Sequence, residues 1–156
     1  MIIKSIYTLF LALLIALFVG LGIDSFYQGP IRPEYPVELN FAKQNLEPTV
    51  EQQNIEKEYY EKQKEYDALS KIYNRNVSII IIIASVIILI VSLTFMAKIK
   101  MIADGILLGG VFTTAYAIIR GFMSDSSSFR FLVVTIGLII ALVLGYIKFI
   151  KPVKNN

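Results

Sequence analysis

Four long, predominantly apolar runs are separated by one long polar stretch, residues 24–77, and by two short ones. A run of about 20 such residues is long enough to cross the hydrocarbon core of a bilayer as a helix. We therefore predict an all-α integral membrane protein folded as a four-helix bundle. The predicted segments are transmembrane helix 1 (1–23), an outer proline-containing loop (24–47), an outer amphipathic helix (48–77), transmembrane helices 2 (78–97), 3 (105–122) and 4 (130–150), and a cytoplasmic tail (151–156).

The outer helix and transmembrane helix 2 are predicted to be one continuous helix. No proline or glycine interrupts the chain between Pro48 and Ala97. One helix over that span would be roughly 75 Å long, which is much more than the bilayer core requires, about 30 Å. We therefore expect the second helix to extend into water as an extramembrane projection.

A tyrosine stripe follows one face of this predicted projection. Tyr59, Tyr66 and Tyr73 are seven residues apart, and Leu69 falls on the same stripe. Such spacing is typical of a short heptad seam, which packs against another helix or segment. The sequence leaves three interpretations open: a partner-binding surface, a surface covered by residues 37–47 of the same loop, and a solvated helix that only prolongs the span.

Three prolines precede this helix at three-residue spacing: Pro30, Pro33 and Pro36. A polyproline II segment has three residues per turn, so these rings are expected to line one side of an extended segment. The segment is interpreted as a stiff spacer, and the alternative is a docking ligand for an aromatic groove.

Small residues recur at helical spacing inside the apolar runs, which favours close packing of helix backbones. The three serines of transmembrane helix 2, seven residues apart, share one face in the same way. The predicted packing residues are Gly105, Gly109, Thr113, Ala117 and Gly121 in helix 3, Gly137, Ala141 and Gly145 in helix 4, and Ser85 and Ser92, with Ser78, in helix 2.

Lysine and arginine in the short loops predict the orientation, because they accumulate on the cytoplasmic side. Six lie on one side, at positions 4, 98, 100, 148, 151 and 154, and two on the other, Arg120 and Arg130. Both termini are therefore expected in the cytoplasm of a plasma membrane, with residues 24–77 outside. A cleaved signal peptide is the alternative reading of residues 1–22.

Composition removes several kinds of chemistry. The 156 residues are 56% hydrophobic and include no histidine and no cysteine. A Ser-His-Asp or Cys-His set is therefore impossible, and no acidic spacing is typical of a metal site. We expect no catalytic residue, no cofactor and no nucleic-acid partner. Asp24 and Arg120 are a candidate ion pair at the outer interface.

No family is assigned from the sequence. Rotary-ATPase proteolipids need a carboxylate in the middle of the membrane, where this chain has none. Small multidrug transporters need a glutamate in the first span, which is uncharged here. Claudin-like proteins carry a tryptophan and paired cysteines in the first outer loop, and this chain contains neither residue type.

The first functional hypothesis is a non-catalytic scaffold or accessory subunit that binds a protein partner, or a second copy, through the outer projection. The motivating features are the tyrosine stripe and the lack of acidic or basic groups in the middle of the spans. The alternative is a small oligomeric channel or transporter, for which the Gly/Thr row of helix 3 and the Asp24 and Arg120 end groups are the motivating features.

Overall fold

The computed structural model describes residues 2–37, 49–95 and 99–150. Of these residues 87% are helical and none lies in a strand, which confirms the all-helical prediction. Pro48, Lys98 and the predicted tail lie outside the described residues. The helices are α1 (Ile2–Phe26), α2 (Val50–Phe95), α3 (Lys100–Phe122) and α4 (Ser127–Gly145), and a π-helical turn, Tyr146–Ile150, follows α4.

All four helices are long and apolar enough to cross a membrane. The chain divides into two compact units. The proline–tyrosine unit is Gly29–Tyr73, and it contains the first part of α2. The helical unit consists of Met1–Gln28 and Asn74–Asn156, and it contains α1, α3, α4 and the rest of α2.

Two helices begin with side-chain caps that the sequence offers. Thr49 and Gln52 form a reciprocal pair at the start of α2: the Gln52 N–H donates to Thr49 Oγ1 at 3.3 Å, and the Thr49 N–H donates to Gln52 Oε1 at 2.8 Å. At the start of α4, Ser126 Oγ accepts from the N–H of Phe129 at 3.2 Å. Such caps satisfy backbone N–H groups that have no partner within the helix.

Helix α3 begins at Lys100, five residues before its predicted start at Gly105. The N-cap residue is Ile99, whose side chain makes no cap hydrogen bond, and Asp104 lies inside the helix. The Asp104 carboxylate instead accepts a hydrogen bond from Lys148 Nζ of the π-helical turn. This ion pair allows a charged side chain to lie inside the helix, at a position where the sequence alone predicts a helix boundary.

Helix α3 is the central helix of the helical unit. Its glycines at positions 105 and 109 lie against Leu11 and Ile15 of α1, so the two helices keep a constant offset and run parallel. Packing of α3 against α4 is antiparallel, because Gly121 lies near Val133 and Gly137 lies near Ile118.

Two serines of α2 connect it to α3 in antiparallel register. Ser78 Oγ donates to the carbonyl oxygen of Ala117, and Ser92 Oγ donates to that of Ala103, each at 2.8 Å. Both serines are fully buried. A hydroxyl that bonds to a neighbouring helix satisfies its polar group without water, as apolar surroundings require.

Candidate functional site

The proline–tyrosine unit is built from an extended segment and one face of α2. Along residues 30–36 only Pro30, Pro33 and Pro36 are half-buried, and the residues between them are exposed. This period of three is the one expected for polyproline II. Within the unit, the prolines are thus the side of the segment that is turned away from solvent.

The helix presents a matching half-buried stripe. Along residues 51–73 the positions shielded from solvent recur every three or four residues, which is the period of one helix face. They are Gln52, Ile55, Tyr59, Gln63, Tyr66, Ser70 and Tyr73.

Two contacts show how the segment lies on this stripe. The rings of Tyr35 and Tyr59 meet edge to face, with centroids 5.3 Å apart and an interplanar angle of 76°. Nearer the other end, a Cβ added to Gly29 would lie 3.1 Å from the Tyr73 ring. The segment therefore runs antiparallel to α2, and an aromatic pair worth about 1 kcal/mol beyond its buried area holds it there.

These contacts bear on the predicted partner-binding set. Tyr59 and Tyr73 contact the chain's own extended segment, and Tyr66 is half-buried on the same stripe. Leu69 is different, because 48% of it is exposed. The predicted cover for the stripe, residues 37–47, lies almost entirely outside the described residues, and the cover found is residues 29–35. Sequence reasoning missed Tyr35, although its place between two of the spaced prolines was a usable signal.

One exposed ion pair lies on the same part of α2. Lys62 Nζ lies 2.7 Å from Glu58 Oε1, as the i,i+4 spacing predicts. The hydrogen bond from Lys62, together with its positive charge, lowers the pKa of the Glu58 carboxyl below its ordinary value. Solvent screens such a pair, so it adds little to stability.

The predicted packing row of α3 is buried along its whole length, from Gly105 through Gly109, Thr113 and Ala117 to Gly121. Thr113 Oγ1 donates to the carbonyl of Gly109 at 2.8 Å, so its hydroxyl is satisfied within its own helix. Close approach requires glycine at position 109, where an added Cβ would lie 2.9 Å from Ile15 Cβ. The row thus forms packing surface between helices and presents no unsatisfied buried side-chain atom.

The predicted serines of α2 behave differently from one another. Ser92 reaches α3, whereas Ser85 Oγ donates to the carbonyl of Ile82 in its own helix at 2.8 Å. In α4, Gly137 lies close to Ile118, but Ala141 is exposed and a Cβ at Gly145 would meet nothing within 4 Å. The row of α4 is therefore packed at only one of its three predicted positions.

Asp24 and Arg120 line one groove of about 560 Å³ between α1 and α3. Its walls are apolar along α1, and Tyr116 stands beside Arg120. The guanidinium donates through Nε to Tyr116 Oη at 3.0 Å and through Nη1 to Asn74 Oδ1 at 2.8 Å. The two charged side chains are thus brought to the same groove, and a direct ion pair between them stays a prediction.

A second groove of about 560 Å³ lies at the opposite end of the α1–α3 seam. Lys4 and Thr8 of α1 and Lys100 and Asp104 of α3 line it. Sequence reasoning counted these lysines for orientation only and did not place them in one site. Their equivalent positions near the starts of two parallel helices were the available signal.

No group of three or more acidic side chains within residues 2–37, 49–95 and 99–150 is placed to hold a metal ion. Comparison with protein-family models, with curated proteins and with solved structures found no match for the chain.

Proposed function

We propose that the chain is a non-catalytic, multi-pass membrane protein that acts as a scaffold or accessory subunit through its proline–tyrosine unit. The unit would bind a protein partner outside the membrane. The observation that carries this proposal is the stripe of α2 covered by the chain's own extended segment, with apolar side chains left exposed beside it. An anchored surface of this kind suits binding, because its side chains are held before a partner arrives.

The exposed apolar side chains define the proposed contact surface. Leu69 is 48% exposed and Ile72 is 50% exposed, and they lie three residues apart on α2. On the extended segment, 93% of Ile31 is exposed. Apolar groups that remain in water favour burial against a partner by about 25 cal/mol per Å². We include Tyr59, Tyr66 and Tyr73 as the support of this surface.

The decisive experiment is purification of the tagged full-length chain from its native membrane in a gentle detergent, followed by native mass spectrometry. We expect a stoichiometric second protein. The double variant Leu69→Ser/Ile72→Ser should weaken that association about tenfold or more, since burial of the exposed half of each side chain contributes about 1 kcal/mol. Insertion and helicity should not change, because both side chains are half exposed.

Tyr60→Ser is the matched control. Tyr60 is 61% exposed. It lies nine residues from Leu69, which places it on the opposite side of the helix at 100° per residue. Loss of the partner from the Tyr60 variant alone would contradict the proposed surface, and a chain that never carries a second protein would contradict the accessory role.

For the membrane placement, we infer four spans with both termini in the cytoplasm of a plasma membrane and residues 24–77 outside. The alternation of parallel and antiparallel neighbours around α3 supports this topology. Lys4, Lys100 and Lys148 also gather at one end of the helical unit, as expected for a cytoplasmic end. The test compares positions 25 and 127 with position 100, by protease cleavage or by labelling of cysteines introduced there. Ser25 and Ser127 should be accessible from outside the membrane, and Lys100 from the cytoplasm.

A small oligomeric channel or transporter is the second candidate. The groove that contains Asp24, Tyr116 and Arg120 favours it, because polar groups in an apolar groove can hold a solute. A purified homo-oligomer that conducts ions or takes up a solute after reconstitution would support this candidate. Absence of flux from every oligomeric form would exclude it.

A further inference from the structure

The second groove between α1 and α3 combines positive charge with an apolar floor. Lys4 of α1 and Lys100 of α3 lie on its two sides, and Thr8 of α1 also lines it. Leu108 lies two turns further along α3 and lines the groove towards the middle of the helices. An occupant has to meet ammonium and hydroxyl donors at one end and hydrocarbon at the other.

The electrostatic balance of the groove is set by a third helix. Asp104 also lines the groove, but its carboxylate is paired with Lys148 of the π-helical turn after α4. Three ammonium groups therefore meet one carboxylate, which leaves two positive charges in excess. The pair also removes the repulsion that an unpaired Asp104 would exert on an anion.

The surroundings of the groove are apolar. On the first turns of α1, Ile2, Ile3 and Ile6 are 76%, 81% and 61% exposed. In the membrane placement proposed above, on which this inference rests, Lys4 lies at headgroup level, so Ile2 and Ile3 lie at the interface and Ile6, two residues deeper, lies among acyl chains. A soluble anion would leave the apolar floor uncovered, whereas a lipid satisfies both ends of the groove.

We propose that this groove binds the headgroup of an anionic phospholipid, with phosphate oxygens between Lys4 and Lys100 and an acyl chain over Leu108. Basic sites between transmembrane helices on the cytoplasmic side suit such headgroups, because a positive charge near an anionic leaflet is favourable and the helix walls take the chain. Lys148 offsets the charge of the Asp104 carboxylate, with which it is paired.

The test uses the full chain in detergent micelles that contain equal amounts of phosphatidylglycerol and phosphatidylcholine with identical acyl chains. Native mass spectrometry then measures which lipid remains bound. We expect a strong preference for phosphatidylglycerol. Lys4→Gln/Lys100→Gln should reduce that preference about thirtyfold, since each lysine near an anionic headgroup accounts for a factor of about five. Lys4→Arg/Lys100→Arg should retain it.

Lys57→Gln/Lys64→Gln is the matched control, because it removes the same charge from exposed positions of the proline–tyrosine unit. An equal loss of preference in this control would overturn the site. Displacement of phosphatidylglycerol by inorganic phosphate at millimolar concentration would overturn the lipid as occupant. A chain that inserts with native helicity but prefers neither lipid defeats this inference alone, whereas failure to insert at all defeats the membrane placement beneath it.

Discussion

A single methyl group at position 109 tests how closely α1 approaches α3. The new Cβ of Gly109→Ala would lie 2.9 Å from Ile15 Cβ and 3.0 Å from both Ile15 Cγ2 and Cδ1. The attraction between two non-bonded carbon atoms is strongest at a separation of about 3.5–4.0 Å. A change of side-chain rotamer moves Cγ2 and Cδ1 but cannot move Cβ, so α1 itself has to shift by about half an ångström.

The expected cost follows from two opposing effects. Overpacking of a well-filled interface costs about 1–3 kcal/mol. Alanine is a better helix former than glycine by about 1 kcal/mol, which partly offsets that cost. Gly22→Ala isolates the second effect, because a Cβ at Gly22 of α1 would meet nothing within 4 Å. The two variants should therefore differ by about 1–3 kcal/mol in the free energy of unfolding.

The measurement is unfolding of the reconstituted chain by increasing mole fraction of sodium dodecyl sulfate, followed by circular dichroism. Gly109→Ala should unfold at a lower fraction than Gly22→Ala. Gly109→Leu should disrupt assembly outright, because a bulky side chain pushes α1 away. If both alanine variants unfold together and Gly109→Leu assembles like the parent, the close α1–α3 contact is absent and the reasoning fails.

Three further outcomes are expected. Ser92→Ala should lower the free energy of unfolding by about 0.6 kcal/mol, because it loses the hydrogen bond to α3. Ser85→Ala should unfold like the parent, because the Ser85 hydroxyl bonds only within its own helix. Equal effects of the two variants would argue against the interhelical bond. Thr49→Ala should cost about 1 kcal/mol of helix stability and speed amide hydrogen exchange in the first turn of α2, and unchanged exchange would contradict the cap. Lys62→Met should return the pKa of Glu58 to its ordinary value in an NMR titration. Because that pKa is lowered in the folded chain, the pair stabilises the fold at neutral pH, and this stabilisation is lost as the pH falls through the pKa of the folded state. An identical Glu58 titration in the Lys62→Met variant would contradict the pairing.

Local hydrophobicity was sufficient to predict the four helices, because a run of about 20 apolar residues is readable without knowledge of tertiary contacts. The start of α3 was missed for the complementary reason. Asp104 looks like a boundary until its partner is known, and Lys148 is 44 residues away. A single sequence contains no local signal for that pair.

The proline–tyrosine unit could likewise be predicted only in part. The three-residue spacing of the prolines and the seven-residue spacing of Tyr59, Tyr66 and Tyr73 were both visible in the sequence. Their association was not, since it depends on the path of the chain between the two elements. Similarly, the small face of α3 was predictable from spacing, but the identity of the helix lying on Gly109 was not.

The proline–tyrosine unit is one uninterrupted stretch of sequence, and the points at which the chain leaves and rejoins the helical unit are neighbours. Asn76 Nδ2 donates to Tyr27 Oη at 3.1 Å, within the helical unit and just outside the two ends of that stretch. Residues 29–73 thus have the arrangement of a cassette. Evolution or an engineer can shorten, exchange or graft such a stretch with a short linker, because closing a short gap costs little chain entropy. The stretch can then diverge in sequence while the helical unit retains its packing.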